Sequence, residues 1–303
     1  MEAKLEKYSV ARLYLTLFSL GVTGGAVFIA PFIRVAFYDL QIGILGVSNA
    51  KFALIFTAYS VTVLTTSVPG GMLADKLRPT QSLHIANIGL TISTIVLTFF
   101  TTSYAMTVVI NVIFAIFSMT FYWPAFSKIL NVIGRKTGKN GGAGSAFGIY
   151  YAFNGISAAI INTLALYAST KFEGVAAFRA ALFVAAAFTL LATILIHFLF
   201  DEELAMADPI STDGEAENKE LSAQRKEDKA ALFALFKSPR LYAACILSTA
   251  GIVMYNSMMY FTPFLTAVAG VSPETSGLFS ICRQYVFLLL APIGGIIADR
   301  VFG

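Results

Sequence analysis

Eight apolar runs, each long enough to cross a bilayer, leave this chain few folds to choose from. They cover about 13–37, 52–73, 83–101, 105–129, 144–168, 178–200, 240–267 and 276–298. A hydrocarbon core about 30 Å thick takes roughly 20 consecutive apolar residues as a helix. Within lipid each backbone N–H and C=O must be satisfied inside the segment, which selects helices for runs of this kind. The expected fold class is an all-α polytopic membrane protein. Composition agrees: 57% of residues are hydrophobic, only 13% are charged, and the mean hydropathy is +0.75. A soluble domain carries about twice that share of charge.

The positive charges are placed, not scattered. Lys4, Lys7, Arg12, Lys76, Arg78, Lys128, Arg135, Lys136 and Lys139 fall at alternate ends of successive runs, together with the bases of 219–240 and Arg300. Arg34, Lys51, Lys171, Arg179 and Arg283 are the remainder. By the positive-inside bias this puts the N-terminus and the long polar stretch in the cytoplasm of a multi-pass protein of the cell (plasma or inner) membrane. The net charge of +4 then reflects topology, and no nucleic-acid partner is expected. The first run is too long for a cleavable signal peptide. Cys245 and Cys282 both lie in apolar runs, so no disulfide framework is expected.

One sentence of sequence occurs twice. Gly70-Gly71-Met72-Leu73-Ala74-Asp75-Lys76 returns as Gly294-Gly295-Ile296-Ile297-Ala298-Asp299-Arg300, an offset of 224 residues. The offset also carries Ser48 onto Ser272 and Leu54 onto Leu278. A repeat of that length in an apolar chain predicts two related membrane halves. The expected organisation is a six-helix half over 1–200, a linker over 201–238 and two helices of a second half over 239–303. Residues 38–51 are expected to form an outer loop. Within the linker, 230–236 has the composition of a surface helix.

The doubled Gly-x-x-Ala-Asp-base loop resembles the signature loop of the major facilitator superfamily of transporters, which stands between helices 2 and 3 and again between helices 8 and 9. The resemblance runs over the whole chain. It implies a bundle of twelve helices, of which about eight are seen here, so the chain reads as a C-terminally incomplete copy. It implies further that Gly71, Asp75, Lys76 and Arg78 and their mates Gly295, Asp299 and Arg300 act as a conformational latch between the halves, not as substrate ligands. A solvated loop charge is the plainer reading of Asp75 and Asp299.

Arg283 is the sharpest single residue. It stands about seven residues, or about 10 Å, into the eighth run. A cation at the centre of a span costs about 2.5–3.5 kcal/mol and usually marks a pathway, and the guanidinium fork suits a carboxylate. Snorkelling to the outer interface is its alternative, and it is the expected role of Arg34, late in the first run after Pro31, with the cavity as the alternative there. Tyr150 and Asn154 are spaced i,i+4, as are Asn256 and Tyr260, so each pair shares a helix face. Hydroxyls and amides there suit the orientation of a solute held by Arg283; interhelical packing is the competing role, also for Tyr122 and Trp123. An arginine in helix 8 resembles the oxalate–formate and nitrate porter branches of the family, and the tyrosines of 148–155 resemble the first more than the second.

No carboxylate stands at mid-membrane depth in the runs, which favours an anionic solute. The site is expected to bind no metal and no cofactor, since His84 and His197 have no ligand partner at a useful spacing. No nucleophile–base arrangement, phosphate loop or dinucleotide fingerprint appears, so an enzyme is not expected. The reading is a secondary transporter, uniporter or antiporter, moving a small organic anion by alternating access, monomeric, with a small-molecule substrate and the lipid bilayer as partners. A facilitator for neutral solutes or drugs is an alternative. A membrane sensor or scaffold is another, should the chain end at Gly303.

Overall fold

The computed structural model of the protein describes residues 10–74, 76–137, 143–206, 237–257, 260–279 and 281–282, with 290, 293–294 and 297; the side chains of 74, 240, 244, 248, 251–252 and 254–256 are not described. The chain divides into two units, Met1–Met206 with Thr262–Gly303, and Ala207–Phe261.

In the first unit the helices are α1 (Val10–Val27), α2 (Arg34–Leu45), α3 (Asn49–Ala74), α4 (Pro79–Phe99), α5 (Tyr104–Ile116), a π-helical segment (Phe117–Tyr122), α6 (Trp123–Thr137), α7 (Gly144–Ser169), α8 (Gly174–Leu199) and α9 (Glu202–Ala205). Six helices among the described residues are long and apolar enough to cross a membrane: Val10–Val27, Asn49–Leu73, Pro79–Phe99, Tyr104–Thr137, Gly144–Ser169 and Gly174–Leu199. The fold is an all-α helical bundle. Helix α1 packs on α7 and α8, α4 on α8, and α3 on α5 and the π segment. Their shared core holds Leu20, Leu83, Phe114, Tyr122, Phe126, Tyr150, Phe178 and Leu182. The second unit contributes α10 (Pro239–Ser257); α11 (Phe261–Ala267) follows it.

The first run is not one helix. Helix α1 stops at Val27, and 28–33 form tight turns, with Ile29 N–H donating to Ala26 C=O at 3.2 Å and Ile33 N–H to Ala30 C=O at 3.3 Å. Pro31 explains the position: it has no N–H, and its ring clashes with the carbonyl four residues back, that of Val27. The expected outer loop at 38–51 is corrected too. Helix α2 runs on to Leu45, because Leu40 and Ile44 pack on the main core and Ile42 and Leu45 on a smaller cluster of Tyr38, Phe52 and Ile55. Tyr38 Oη donates to Asn49 Oδ1 at 3.0 Å across the short turn that remains.

That turn occurs twice. Gly46 ends α2 in the left-handed region at φ 60°, and Gly270, 224 residues on, has φ 67°. Only glycine adopts this conformation without a steric penalty. The Ser48 hydroxyl accepts from Lys51 N–H at 3.3 Å, and the Ser272 hydroxyl accepts from Thr275 N–H at 3.3 Å. Their carbonyls accept from Phe52 and Ser276 N–H at 2.8 and 2.9 Å. Each serine thereby caps the helix that follows it. Helix α2 has a non-helical residue at Phe37, and α11 begins at its mate Phe261. The sequence repeat is thus a repeat of local structure.

The fourth span widens in its middle. Trp123 N–H donates to Ser118 C=O, five residues back, directly before Pro124. Proline in a helix interior removes one backbone bond and crowds the preceding turn, and a π turn gives that turn more room. Ser82 Oγ from α4 donates to the Phe121 carbonyl at 2.8 Å, and Tyr59 Oη from α3 meets Ser118 Oγ at 3.2 Å.

Candidate functional site

The break in the first span turns Arg34 inward. Its side chain is only 5% exposed. The guanidinium carbon lies 4.7 Å from the Phe56 ring centre and 5.8 Å from that of Phe52, within cation–π range. Beside it is a cavity of about 10 Å³, lined by Pro31, Arg34, Gln41, Phe52, Leu97 and Asn111 among others. A volume of that size is at the lower limit for one water molecule. Phe56 stands seven residues into α3, about 10 Å along its axis. The snorkelling favoured for Arg34 is corrected: α2 carries it under two aromatic rings instead of out to the interface.

From Arg34 a line of rings leads to Trp123. Phe56 stacks on Tyr59 at 5.6 Å and 8°. Phe32 sits edge-on to both, at 5.7 and 5.4 Å. Phe28 follows at 6.0 Å from Phe32 and meets Trp123 at 6.2 Å and Tyr122 at 5.7 Å. Phe28, Phe32 and Phe56 are half-buried, and Trp123 is 43% exposed. The turn at 28–33 supplies two of these rings and the π segment positions a third, so both departures from regular helix serve this face.

Tyr150 and Asn154 are brought together as their spacing implies, with Asn154 Nδ2 donating to Tyr150 Oη at 3.3 Å. Tyr150 is fully buried, and its hydroxyl is 2.8 Å from that of Tyr122, which is buried too. Both hydroxyls lie over Gly24 of α1. A Cβ added there would come within 2.5 Å of Asn154 Nδ2 and 2.7 Å of Tyr122 Oη, and nearer still to Tyr150 Oη. The cluster is a polar seam between α1, α7 and the fourth span, while Asn154 itself remains half-buried.

Of the other expected site residues, Tyr260 is exposed, and Asn256 lies in α10 with its side chain undescribed. Arg283, Asp75, Gly295, Asp299 and Arg300 lie outside the described residues. Lys76 and Arg78 are exposed, and Arg78 stands directly before Pro79, the first residue of α4. Its backbone N–H donates to Gln81 Oε1 at 3.3 Å. A Cβ at Gly71 would meet nothing within 4 Å, whereas one at Gly70 would strike Thr120 Cα at 2.7 Å.

Sequence reasoning missed a charged clamp. Arg12 Nε at the start of α1 lies 2.7 Å from Asp201 Oδ2, whose side chain is 8% exposed against 54% for Arg12. Asp201 N–H donates to Thr16 Oγ1 at 3.1 Å. Its Oδ1 accepts from Leu204 N–H at 3.2 Å and so caps α9. Lys136 Nζ at the end of α6 donates to the Glu203 carbonyl at 3.1 Å. Three spans are tied at one end by the first residues after the sixth. Only the Asp-x-x-Leu capping pattern hinted at it. Asp201→Asn keeps the cap and loses the ion pair. It is expected to cost about 1–2 kcal/mol, between the exposed and buried limits for such pairs, read as a lowered thermal midpoint. No change would mean that Arg12 contributes nothing.

His84 and His197, read separately in sequence, meet edge to face at 5.9 Å.

No curated protein matches the chain. Residues 13–303 match the Major Facilitator Superfamily, so the doubled loop, the repeated glycine–serine turn and the six spans have one origin: this multi-pass membrane protein belongs to the Major Facilitator Superfamily, a family of transporters.

Proposed function

We propose that the protein moves a small organic anion across the cell membrane by alternating access, with its N-terminus in the cytoplasm. The observation that carries this reading is Arg34, a cation buried under the rings of Phe56 and Phe52 on a helix that also carries Asp39, beside six spans that contain no Asp or Glu. A permanently charged fork in low dielectric favours a carboxylate over a neutral or cationic solute. The register of the repeat supports Arg283 as a second cationic partner: it stands 224 residues after Tyr59, and Asn256 stands 224 after Phe32, the two rings in contact at 5.4 Å. Tyr150 and Asn154 act as orienting or packing groups, and Asn256 with Tyr260 as a second such pair. Asp75, Lys76, Arg78, Asp299 and Arg300, with Gly71 and Gly295, form the latch that alternates between states.

Counterflow in liposomes holding the full chain tests this. Liposomes preloaded with an unlabelled carboxylate are expected to accumulate labelled carboxylate and no labelled sugar. Arg283→Gln is expected to lower that exchange at least about tenfold, the loss of one charge-assisted pair. Sugar counterflow without carboxylate counterflow would overturn the anion reading in favour of a neutral-solute facilitator.

A further inference from the structure

Resting on the anion reading, we propose that Asn154 receives the solute with its amide nitrogen, and that Tyr122 and Tyr150 hold the amide that way round. Asn154 is then a solute-binding residue, and the two tyrosines are positioning residues. The protons of the seam carry this. Tyr122 Oη and Tyr150 Oη are 2.8 Å apart, both side chains are buried, and the amide meets Tyr150 Oη at 3.3 Å. With Nδ2 at that contact, three donors share two oxygens. Asn154 gives to Tyr150, one hydroxyl gives to the other, and the second hydroxyl has no acceptor among the described residues. A buried donor left without a partner costs about 1–3 kcal/mol. Turning the amide over exchanges N and O in nearly the same volume. Tyr122 then donates to Tyr150, Tyr150 donates to Asn154 Oδ1, and no proton in the seam is left over. Nδ2 is released, with both its N–H groups, to the side away from the tyrosines.

That side is not a lipid face. Helix α7 has two exposed sides. Ile160 and Leu164 stand on one, which is apolar and suits lipid. Phe147, Tyr151, Asn154 and Ala158 are half-buried on the other, spaced i, i+4, i+7, i+11 along a single face. Asn154 is ten residues into the helix, or about 15 Å along its axis, near the middle of the span. An amide turned to hydrocarbon at that depth is left unsatisfied, at a cost of several kcal/mol, so this second side borders polar space. What it presents there is a donor. Hydrogen bonds that run in one direction, from Tyr122 through Tyr150 to the amide oxygen, polarise one another and strengthen the N–H groups at the end of the chain. Two such N–H groups suit a carboxylate oxygen and offer nothing to an ammonium. The six spans hold no Asp or Glu of their own to occupy them.

The full chain, labelled with heavy nitrogen at asparagine and held in lipid nanodiscs, is titrated with acetate, benzoate and succinate while its side-chain amide resonances are followed by NMR. The Asn154 signal is identified by its loss in Asn154→Asp. Counterflow of the same three acids in liposomes shows which of them the protein exchanges. An exchanged acid is expected to move the Asn154 N–H resonances downfield and saturably, a change that a purely structural amide would not show. Asn154→Asp keeps an acceptor for Tyr150 and removes the donor, and it is expected to lower exchange at least about tenfold. Exchange with no shift at Asn154 overturns the donor role and leaves the anion reading standing; this measurement on the wild type decides the matter even should the variant not fold. Undiminished exchange by Asn154→Asp overturns the donor role in the same way. Counterflow of glucose and of none of the three acids overturns the anion reading itself, and this inference with it.

Discussion

Gly24→Ala is expected to destabilise the protein by about 2 kcal/mol, although it replaces a glycine in the middle of a helix. Propensity alone predicts the opposite sign: alanine is worth about 1 kcal/mol over glycine in a helix interior. Packing outweighs it. The new Cβ would fall on Tyr150 Oη and within 2.5 Å of Asn154 Nδ2 and 2.7 Å of Tyr122 Oη, so either α1 retreats from α7 or both tyrosines leave their places. Overpacking of this kind costs about 1–3 kcal/mol. Separating the buried hydroxyl pair, 2.8 Å apart, adds about 1–3 kcal/mol for whichever group is left unsatisfied. Tyr150→Phe removes the nearest of the three atoms the Cβ would strike, so the double variant is expected to recover about half the loss. The thermal midpoints of the two single variants and the double variant give the coupling directly. A stabilised Gly24→Ala would mean that the seam between α1 and α7 is loose and that the hydroxyl cluster does not depend on it.

Arg34→Met is expected to separate stability from transport. Replacing a buried charge by an apolar side chain of similar volume is often neutral or stabilising, because the cost of desolvating the ion disappears with it. The loss of cation–π contact with Phe56, 4.7 Å away, costs about 2 kcal/mol. The two terms roughly cancel, and the thermal midpoint should move by no more than about 3 °C, the shift that about 1 kcal/mol produces in a protein of this class. Carboxylate counterflow should fall at least about 30-fold, the equivalent of about 2 kcal/mol of lost charge-assisted pairing. Arg34→Ala leaves a cavity as well and should lose about 2–5 kcal/mol of stability. If Arg34→Met unfolds as readily as Arg34→Ala and still exchanges carboxylates, Arg34 is a packing element and the cationic partner lies elsewhere.

The two largest departures from the sequence reading share a cause. Periodicity and hydropathy report how apolar a stretch is, not whether its helix is continuous. Pro31 and Pro124 were visible, but whether a proline ends a helix, bends it or widens it depends on what takes the freed carbonyls. At Val27 the chain breaks into turns; at Trp123 it widens into a π turn, with Ser82 of another helix bonded to Phe121. The stretch 38–51, between two apolar runs, reads as a loop, yet α2 holds there to Leu45 because it packs on two clusters. Arg34 departs from the expected outward direction for the same reason. Position in a run sets distance from the interface, whereas direction depends on the break upstream.

The sequence by itself determined the membrane class, the repeat and the family. Each depends on local patterns: run length against bilayer thickness, and a doubled loop at a constant offset. Even the duplicated turn was within reach, since Gly46-Val47-Ser48 and Gly270-Val271-Ser272 are the same three residues. The pairing of Tyr150 with Asn154 followed from helical spacing. Only the tertiary structure decided that Tyr150 gives its hydroxyl to Tyr122 over Gly24, that Asp201 reaches Arg12, and that Arg34 heads a line of rings ending at Trp123. These contacts join residues far apart in the chain, and what brings them together is the close approach of helices, which no single helix's pattern encodes.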